Sequence, residues 1–200
     1  MARQTKYQKD AYKKKLVEYG LSIINSGHSN VTMRELSRLS NVSIGTVYNI
    51  FPSYDNFVFH VKSVILERLL ECFLTPDLSK KNFQKSINEL THIFFNYINE
   101  NNLLWNFLIS TQTPSKSVPD WYQEKICNIL DAISKEFKKI PNISTEKIEL
   151  SAIIFWSNLQ GLALIKEHQK LDLVTSQTYE KIIDTFVESY LNGITVEKES

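Results

Sequence analysis

The chain has 200 residues, of which 42% are hydrophobic and 12% aromatic, so it is one large domain or two small ones with enough apolar surface to bury a core. Its formal net charge of +1 hides an asymmetry: residues 1–70 carry ten Lys and Arg against five acids, a net +5, and the remainder a net −4. A basic N-terminal third on an acidic remainder suits contact of one end with a polyanion. The polar start MARQTKYQKD has no apolar h-region, and no run of 18 apolar residues occurs, so neither secretion nor a membrane span is expected and a cytoplasmic chain is. Cys72 and Cys127 stand far apart and read as buried thiols; no metal and no cofactor is expected.

Apolar periodicity is helical almost throughout. Tyr12, Leu16, Tyr19, Ile23 and Ile24 mark one face of a first helix ending near Gly27, with Gly20 inside it. Two short helical segments follow in VTMRELSRLSNVSIGTVYNIFPS, Val31 to Ser53. Phe57, Val61, Ile65 and Leu69 mark a longer helix, with Ser53 as its N-cap and a stop before Pro76. Phe83, Ile87, Leu90, Phe94 and Tyr97 mark another, and the short apolar segment LLWNFLIS breaks at Pro114 and Pro119. A stripe from Tyr122 through Ile126, Ile129, Ile133 and Phe137 to Ile140 stops at Pro141. Residues 145–168 read as a helix apolar nearly all round, and Tyr179, Ile182, Ile183, Phe186, Val187 and Tyr190 as the last. No strand alternation is evident, so the expected fold is all-α.

The best boundary is TPDLSKKN, residues 75–82. It divides an N-terminal domain, 1–74, from a helical domain, 75–200. A helix running unbroken up to it implies a rigid joint.

The stretch from Val31 to Ser53 carries the functional signal. Thr32 can cap a helix that buries Met33, Leu36 and Leu39. The break is Ser40-Asn41-Val42, and Asn tolerates the left-handed backbone of a tight turn. Ser43 then caps a second helix that buries Val47 and Phe51. Gly45 lets another surface come close, while Thr46, Tyr48 and Asn49 project outward. Two short helices joined by such a turn make a helix-turn-helix, which presents the second helix as a thin probe for the DNA major groove. Its exposed N–H groups and hydroxyls suit phosphate contact.

The residues GHSNVTMRELSRLSNVSIGTVYNIFPSYDNF, Gly27 to Phe57, resemble the N-terminal domain of TetR-type transcriptional regulators, without a gap over about thirty residues. WSNLQGLALI, with its central Gly161, resembles the penultimate helix of that family. Four positions depart from the family pattern. Ser37 stands for a small Ala and Asn41 for the turn Gly. Ile44 replaces a polar residue and either reads a thymine methyl or packs. Tyr54 replaces a phosphate-contacting Lys and can offer a hydroxyl instead.

The resemblance implies that Thr32, Arg34, Ser43, Tyr48 and Tyr54 contact phosphates, and that Ile44, Gly45, Thr46 and Asn49 face base edges. Lys6, Lys9, Lys13, Lys14 and Lys15 would add affinity for any duplex. It further implies a ligand-responsive repressor that binds a pseudo-palindromic operator as a homodimer. The dimer interface is expected at Trp156, Leu159, Ile182, Phe186 and Tyr190 on the last two helices. Phe94, Trp105, Trp121, Tyr122 and Phe155 are candidates to line a pocket for a small lipophilic or aromatic effector. His92, Asn96, Asn106, Gln123 and Asn158 are its candidate polar anchors. A ligand there is expected to act through the helix over 54–73, so that the two probes no longer match successive grooves.

The alternatives are an enzyme and a helical interaction module that keeps the helix-turn-helix for packing. The sequence carries no H-E-x-x-H, C-x-x-C, G-x-S-x-G or P-loop pattern, and His28, His60, His92 and His168 are dispersed, so no catalytic residues are expected.

Overall fold

The computed structural model describes residues 6–28, 31–111, 118–167 and 177–196. Among them it contains nine α-helices and no strand: α1 (Lys6–Asn25), α2 (Met33–Ser40), α3 (Ile44–Ile50), α4 (Tyr54–Leu74), α5 (Phe83–Glu100), α6 (Asn102–Ser110), α7 (Asp120–Phe137), α8 (Thr145–Glu167) and α9 (Tyr179–Val196). The fold is all-α, as the periodicity predicts. Contacts gather the chain into two compact units, Met1–Arg68 with Asn99–Ile126, and Leu69–Ile98 with Cys127–Ser200.

In the first unit α1, α2 and α3 contact one another as the three helices of a helix-turn-helix, and α6 packs on α1. Leu16 and Leu21 of α1, Leu36 of α2, Val47 of α3 and Phe57 and Val61 of α4 are buried together with Phe51. Gly20 has a packing reason. A Cβ there would lie 2.6 Å from Cζ of the buried Phe57, so α1 and α4 meet closely only because this residue has no side chain. Phe51 meets Phe57 edge-on at 5.3 Å and His60 at 5.5 Å, and His60 stacks on Trp121 at 4.2 Å and 8°. This run of rings ties the end of α3 to α4 and the first turn of α7. Burial, reinforced by the nearby Lys13 charge, pushes the His60 imidazole down to about 4.

The second unit is an aromatic-rich bundle. Phe137 packs on Phe83 (5.1 Å) and Phe155 (6.0 Å), and Phe155 packs on Phe186 (6.3 Å) and Tyr190 (5.6 Å). The Tyr190 hydroxyl donates to the Ser151 carbonyl at 2.6 Å, which satisfies a polar group inside the bundle. Its helices start where the sequence provides caps: Asn82 accepts from the Lys85 N–H (2.9 Å), Ser144 from Lys147 (3.2 Å) and Thr178 from Lys181 (3.3 Å). The segment over 75–82 is held by Lys139, whose ammonium donates to the carbonyls of Leu78 (2.6 Å) and Lys81 (3.2 Å) and to Ser86 Oγ (2.8 Å), and pairs with the buried Glu136 carboxylate.

Two expectations need correction. Leu39 is 39% exposed, because it falls on the outer side of α2 while Met33, Leu36 and Ser40 fill the inner one. Cys127 is exposed on α7 and Cys72 only partly buried, so neither is a fully buried thiol.

α8 is, among the described residues, the helix long and apolar enough by composition to cross a membrane. In the fold it buries Ile148, Ala152, Phe155, Trp156, Leu159 and Ala163, and leaves Leu150, Ile153, Ile154, Leu164 and Ile165 exposed.

Gly20→Ala separates local from tertiary control. Helix propensity alone would raise stability by about 1 kcal/mol. The clash with Phe57 is of the kind that costs about 1–3 kcal/mol, so urea denaturation is expected to show a net loss.

Candidate nucleic-acid interface

The turn between α2 and α3 is built from short-range hydrogen bonds. Thr32, in extended backbone, accepts the Glu35 N–H on its hydroxyl at 3.1 Å and starts α2. Asn41 ends α2 in the left-handed region, φ 54 and ψ 37, as its residue type predicts. The Val42 N–H then reaches back to the Ser37 carbonyl at 3.2 Å, and Ser37 Oγ donates to the Val42 carbonyl at 2.6 Å. Ser37 therefore clamps both polar groups of Val42. Its reading as a stand-in for a small Ala missed this, because no local pattern marks a partner five residues on, across the turn.

Ser43 opens α3. Its Oγ accepts the Thr46 N–H at 3.2 Å and lies 2.9 Å from the Thr46 hydroxyl. The two hydroxyls hold one another at the exposed first turn. α3 buries Val47 and Ile50 on its inner side, with Phe51 closing its end. Ser53 caps α4 by accepting the Asn56 N–H at 3.1 Å.

The candidate contact residues are largely solvent-accessible. Thr32, Arg34, Ser43, Gly45 and Asn49 are exposed, Ile44 is 39% exposed, Tyr48 50% and Tyr54 37%, and Thr46 is half-buried. At Gly45 the nearest atom to an added Cβ is Ser43 Oγ at 3.9 Å, so the protein's own packing does not demand glycine there. Burial, and then the Asp55 charge, push the Tyr54 phenol up, so it stays a neutral hydroxyl that can donate to an anion. Arg38, exposed on the turn after Arg34, adds a second guanidinium to the outer side of α2.

The α1 lysines do not share one environment. Lys9, Lys14 and Lys15 are exposed, with Lys15 over the Tyr19 ring at 5.7 Å. Lys13 is half-buried and desolvation lowers its ammonium. The Lys6 side chain and His168 lie outside the described residues.

The five candidate effector residues are divided. Trp105, Trp121 and Tyr122 belong to the first unit, Phe94 and Phe155 to the second. Trp121 and Tyr122 pack on Phe59 at 6.4 and 4.9 Å, while Trp105 is fully buried. Phe94 packs on Trp156 at 5.4 Å. Phe94, Trp121, Tyr122 and Phe155 thus have ring partners within their own unit. Of the polar candidates, His92 and Asn96 line an open groove of about 490 Å³ along α5 with Lys81, Lys85 and Glu89. Asn106 lines a smaller cavity beside α1. Gln123 donates to the Val118 carbonyl and Asn158 to the Ile154 carbonyl. Of the candidate interface residues, Leu159 is fully buried and Trp156 nearly so, at 8% exposed; Ile182, Phe186 and Tyr190 are half-buried.

No protein-family model matches the sequence, and no curated protein matches it significantly. Solved structures do match the fold. The chain is similar to BioQ of Mycobacterium smegmatis, with a TM-score of 0.64 at 16% identity over 92% of this chain and 97% of that one. It is similar to BioQ with its natural double-stranded DNA operator, with a TM-score of 0.67 at 14% identity over 92% and 98%. A bacterial regulatory protein in the tetR family from Rhodococcus RHA1 gives 0.62 at 10% identity over 90% and 95%. The chain has the fold of TetR-family transcriptional regulators.

The turn makes a checkable demand. Asn41→Ala is expected to lower stability by about 1 kcal/mol, because alanine lacks asparagine's tolerance of the left-handed region. Asn41→Gly should leave stability within a few tenths of a kcal/mol of the parent, as read by thermal or denaturant unfolding.

Proposed function

We propose that this protein is a TetR-like transcriptional regulator that binds a pseudo-palindromic DNA operator as a homodimer and represses until a small lipophilic or aromatic effector releases it. The observation that carries the reading is the exposed start of α3. Ser43, Gly45, Thr46 and Asn49 stand outward on a short helix whose other side is fixed by Val47, Ile50 and Phe51. A rigid, narrow helix end bearing hydroxyls, an amide and a glycine with open space above it fits a major groove. Similarity to BioQ with its operator supports the same use of the fold.

Roles divide by chemistry. Ser43, Thr32, Arg34, Tyr48 and Tyr54 present donors at the rim and suit phosphates; Arg38 joins them. Asn49 can pair with an adenine edge, Thr46 and Ile44 offer methyl groups to thymine, and Gly45 lets the backbone approach. The exposed Lys9, Lys14 and Lys15 add sequence-independent attraction. Lys13, half-buried, contributes less.

A dimer supplies the second reading head, and α8 supplies the face for it. Leu150, Ile153, Ile154, Leu164 and Ile165 form an exposed apolar stripe, with Gly161 allowing close approach. An interface there rests on these residues together with Ile182, Phe186 and Tyr190, since Leu159 and Trp156 are committed to their own core. An effector, whatever its site, releases DNA only by favouring a state that fits the operator less well. The aromatic content of the second unit supports an apolar one. No step of this reading calls for catalysis, so the protein acts by binding.

Selection of bound sites from a random duplex pool tests the reading. Recovered half-sites about one helical turn apart support it, and recovery of no preferred sequence sinks it. Gly45→Ala should leave unfolding stability unchanged or slightly higher, yet weaken operator binding at least about tenfold by steric intrusion. Lys14→Ala should weaken all duplexes alike and reduce the log–log salt slope by about 1.

Ile154→Glu buries a charge in the proposed interface. Sedimentation at micromolar concentration should show the dimer of the parent protein replaced by a folded monomer.

A further inference from the structure

The end of α1 folds back on itself. Gly27 takes a left-handed backbone, φ 88, and its N–H donates to the Ile24 carbonyl at 2.9 Å, while the His28 N–H reaches the Ile23 carbonyl at 3.3 Å. His28 thereby joins the wall of a cavity of about 110 Å³ between the end of α1 and α6, inside the first unit. Ile24, Leu103 and Phe107 make its apolar part. On α6 the lining positions are 103, 106, 107 and 110, the spacing of one helical face. None of the five candidate effector rings lines it.

Hydrogen bonds within the wall decide which groups remain for a guest. The Ser26 hydroxyl has one proton and gives it to the Ile23 carbonyl at 2.7 Å. Its contact with His28 Nδ1 at 3.0 Å is then one in which the ring N–H donates, and Nε2 of the neutral imidazole is left as an acceptor. Ser110 likewise gives its proton to the Asn106 carbonyl, and the Thr111 carbonyl is already engaged by the Lys62 ammonium at 2.7 Å. No lining side chain is Asp, Glu, Lys or Arg, so a charged guest would leave water without a fixed counter-charge. The wall suits a neutral guest that is mostly apolar and carries one hydrogen-bond donor.

We infer that this cavity binds a small neutral aromatic alcohol, of which phenol is the simplest, its ring against Ile24, Leu103 and Phe107 and its hydroxyl donating to His28 Nε2. An engineered cavity of about 150 Å³ lined by apolar side chains holds benzene, so a single ring is the largest guest that fits here. Affinity is modest, because His28, Leu103 and Ser110 are exposed and the guest is only partly enclosed. The inference goes beyond the regulatory reading, since binding at this site requires neither DNA nor a second copy of the chain.

The test is ligand-detected NMR on the full chain without DNA, titrating phenol, toluene, benzoate and benzylammonium. Saturable binding of phenol, at least tenfold tighter than that of either charged compound, is expected. His28→Leu should lower the ratio of phenol to toluene affinity about fivefold, the size of one neutral hydrogen bond. Leu103→Trp, at an exposed position, covers the cavity and should weaken phenol and toluene at least tenfold, with the helical fold of both variants checked by circular dichroism. No saturable phenol binding, a charged compound bound as tightly as phenol, an unchanged phenol-to-toluene ratio in His28→Leu, or phenol binding that survives Leu103→Trp would each overturn the inference. Operator selection is read separately, so failure of the phenol site leaves the DNA-binding proposal standing, and the reverse.

Discussion

A seven-residue helix has no independent stability in water, because the cost of nucleating it is recovered only over several turns. α3 exists because its surroundings hold it. Val47 and Phe51 are fully buried, Ser43 caps the first turn, and the left-handed backbone at Asn41 sets where the helix begins. Every outward feature of the proposed reading head depends on that anchoring. If Val47 and Phe51 were not fixed inside, Thr46 and Asn49 would have no defined position outside.

The anchoring is itself layered. Phe51 rests on Phe57 and His60, His60 is stacked on Trp121, and Phe57 lies where α1 has a glycine. The interior beneath the probe is therefore a set of rings in mutual contact, and such groups transmit displacement rather than absorb it. This is the physical basis on which a change at the start of α7 could be felt at the end of α3 within the same unit.

The two units differ in how they treat apolar surface. The first presents lysines, arginines and hydroxyls, with Leu39, Ile44, Leu103 and Val118 exposed singly among them. The second leaves one side of α8 apolar and exposed, the face on which the proposed dimer rests. Charge follows the same division: the first unit carries 12 Lys and Arg against 8 acids, a net +4, and the second 11 against 14, a net −3.

Much of this was legible in order along the chain. Helical spacing placed the long elements, because each apolar stripe repeats with the helix period, whereas LLWNFLIS read only as a short apolar segment and forms α6. Cap residues fixed several starts, as at Thr32, Ser43 and Ser53, because a hydroxyl satisfying an N–H is a contact of three residues and is written locally. The turn at Asn41 was legible for the same reason. Contacts that cross sequence were not. The approach of Phe57 to Gly20 and the burial of Trp156 and Leu159 depend on which helix faces which. A stripe on α8 says that two sides are apolar; it does not say which one the protomer keeps. The sequence by itself determined the helices, their caps and the type of turn, since these are set by neighbours a few residues away. Only the tertiary structure decided which apolar face stays exposed and why Gly20 is a glycine, since those follow from the packing of residues distant in the chain.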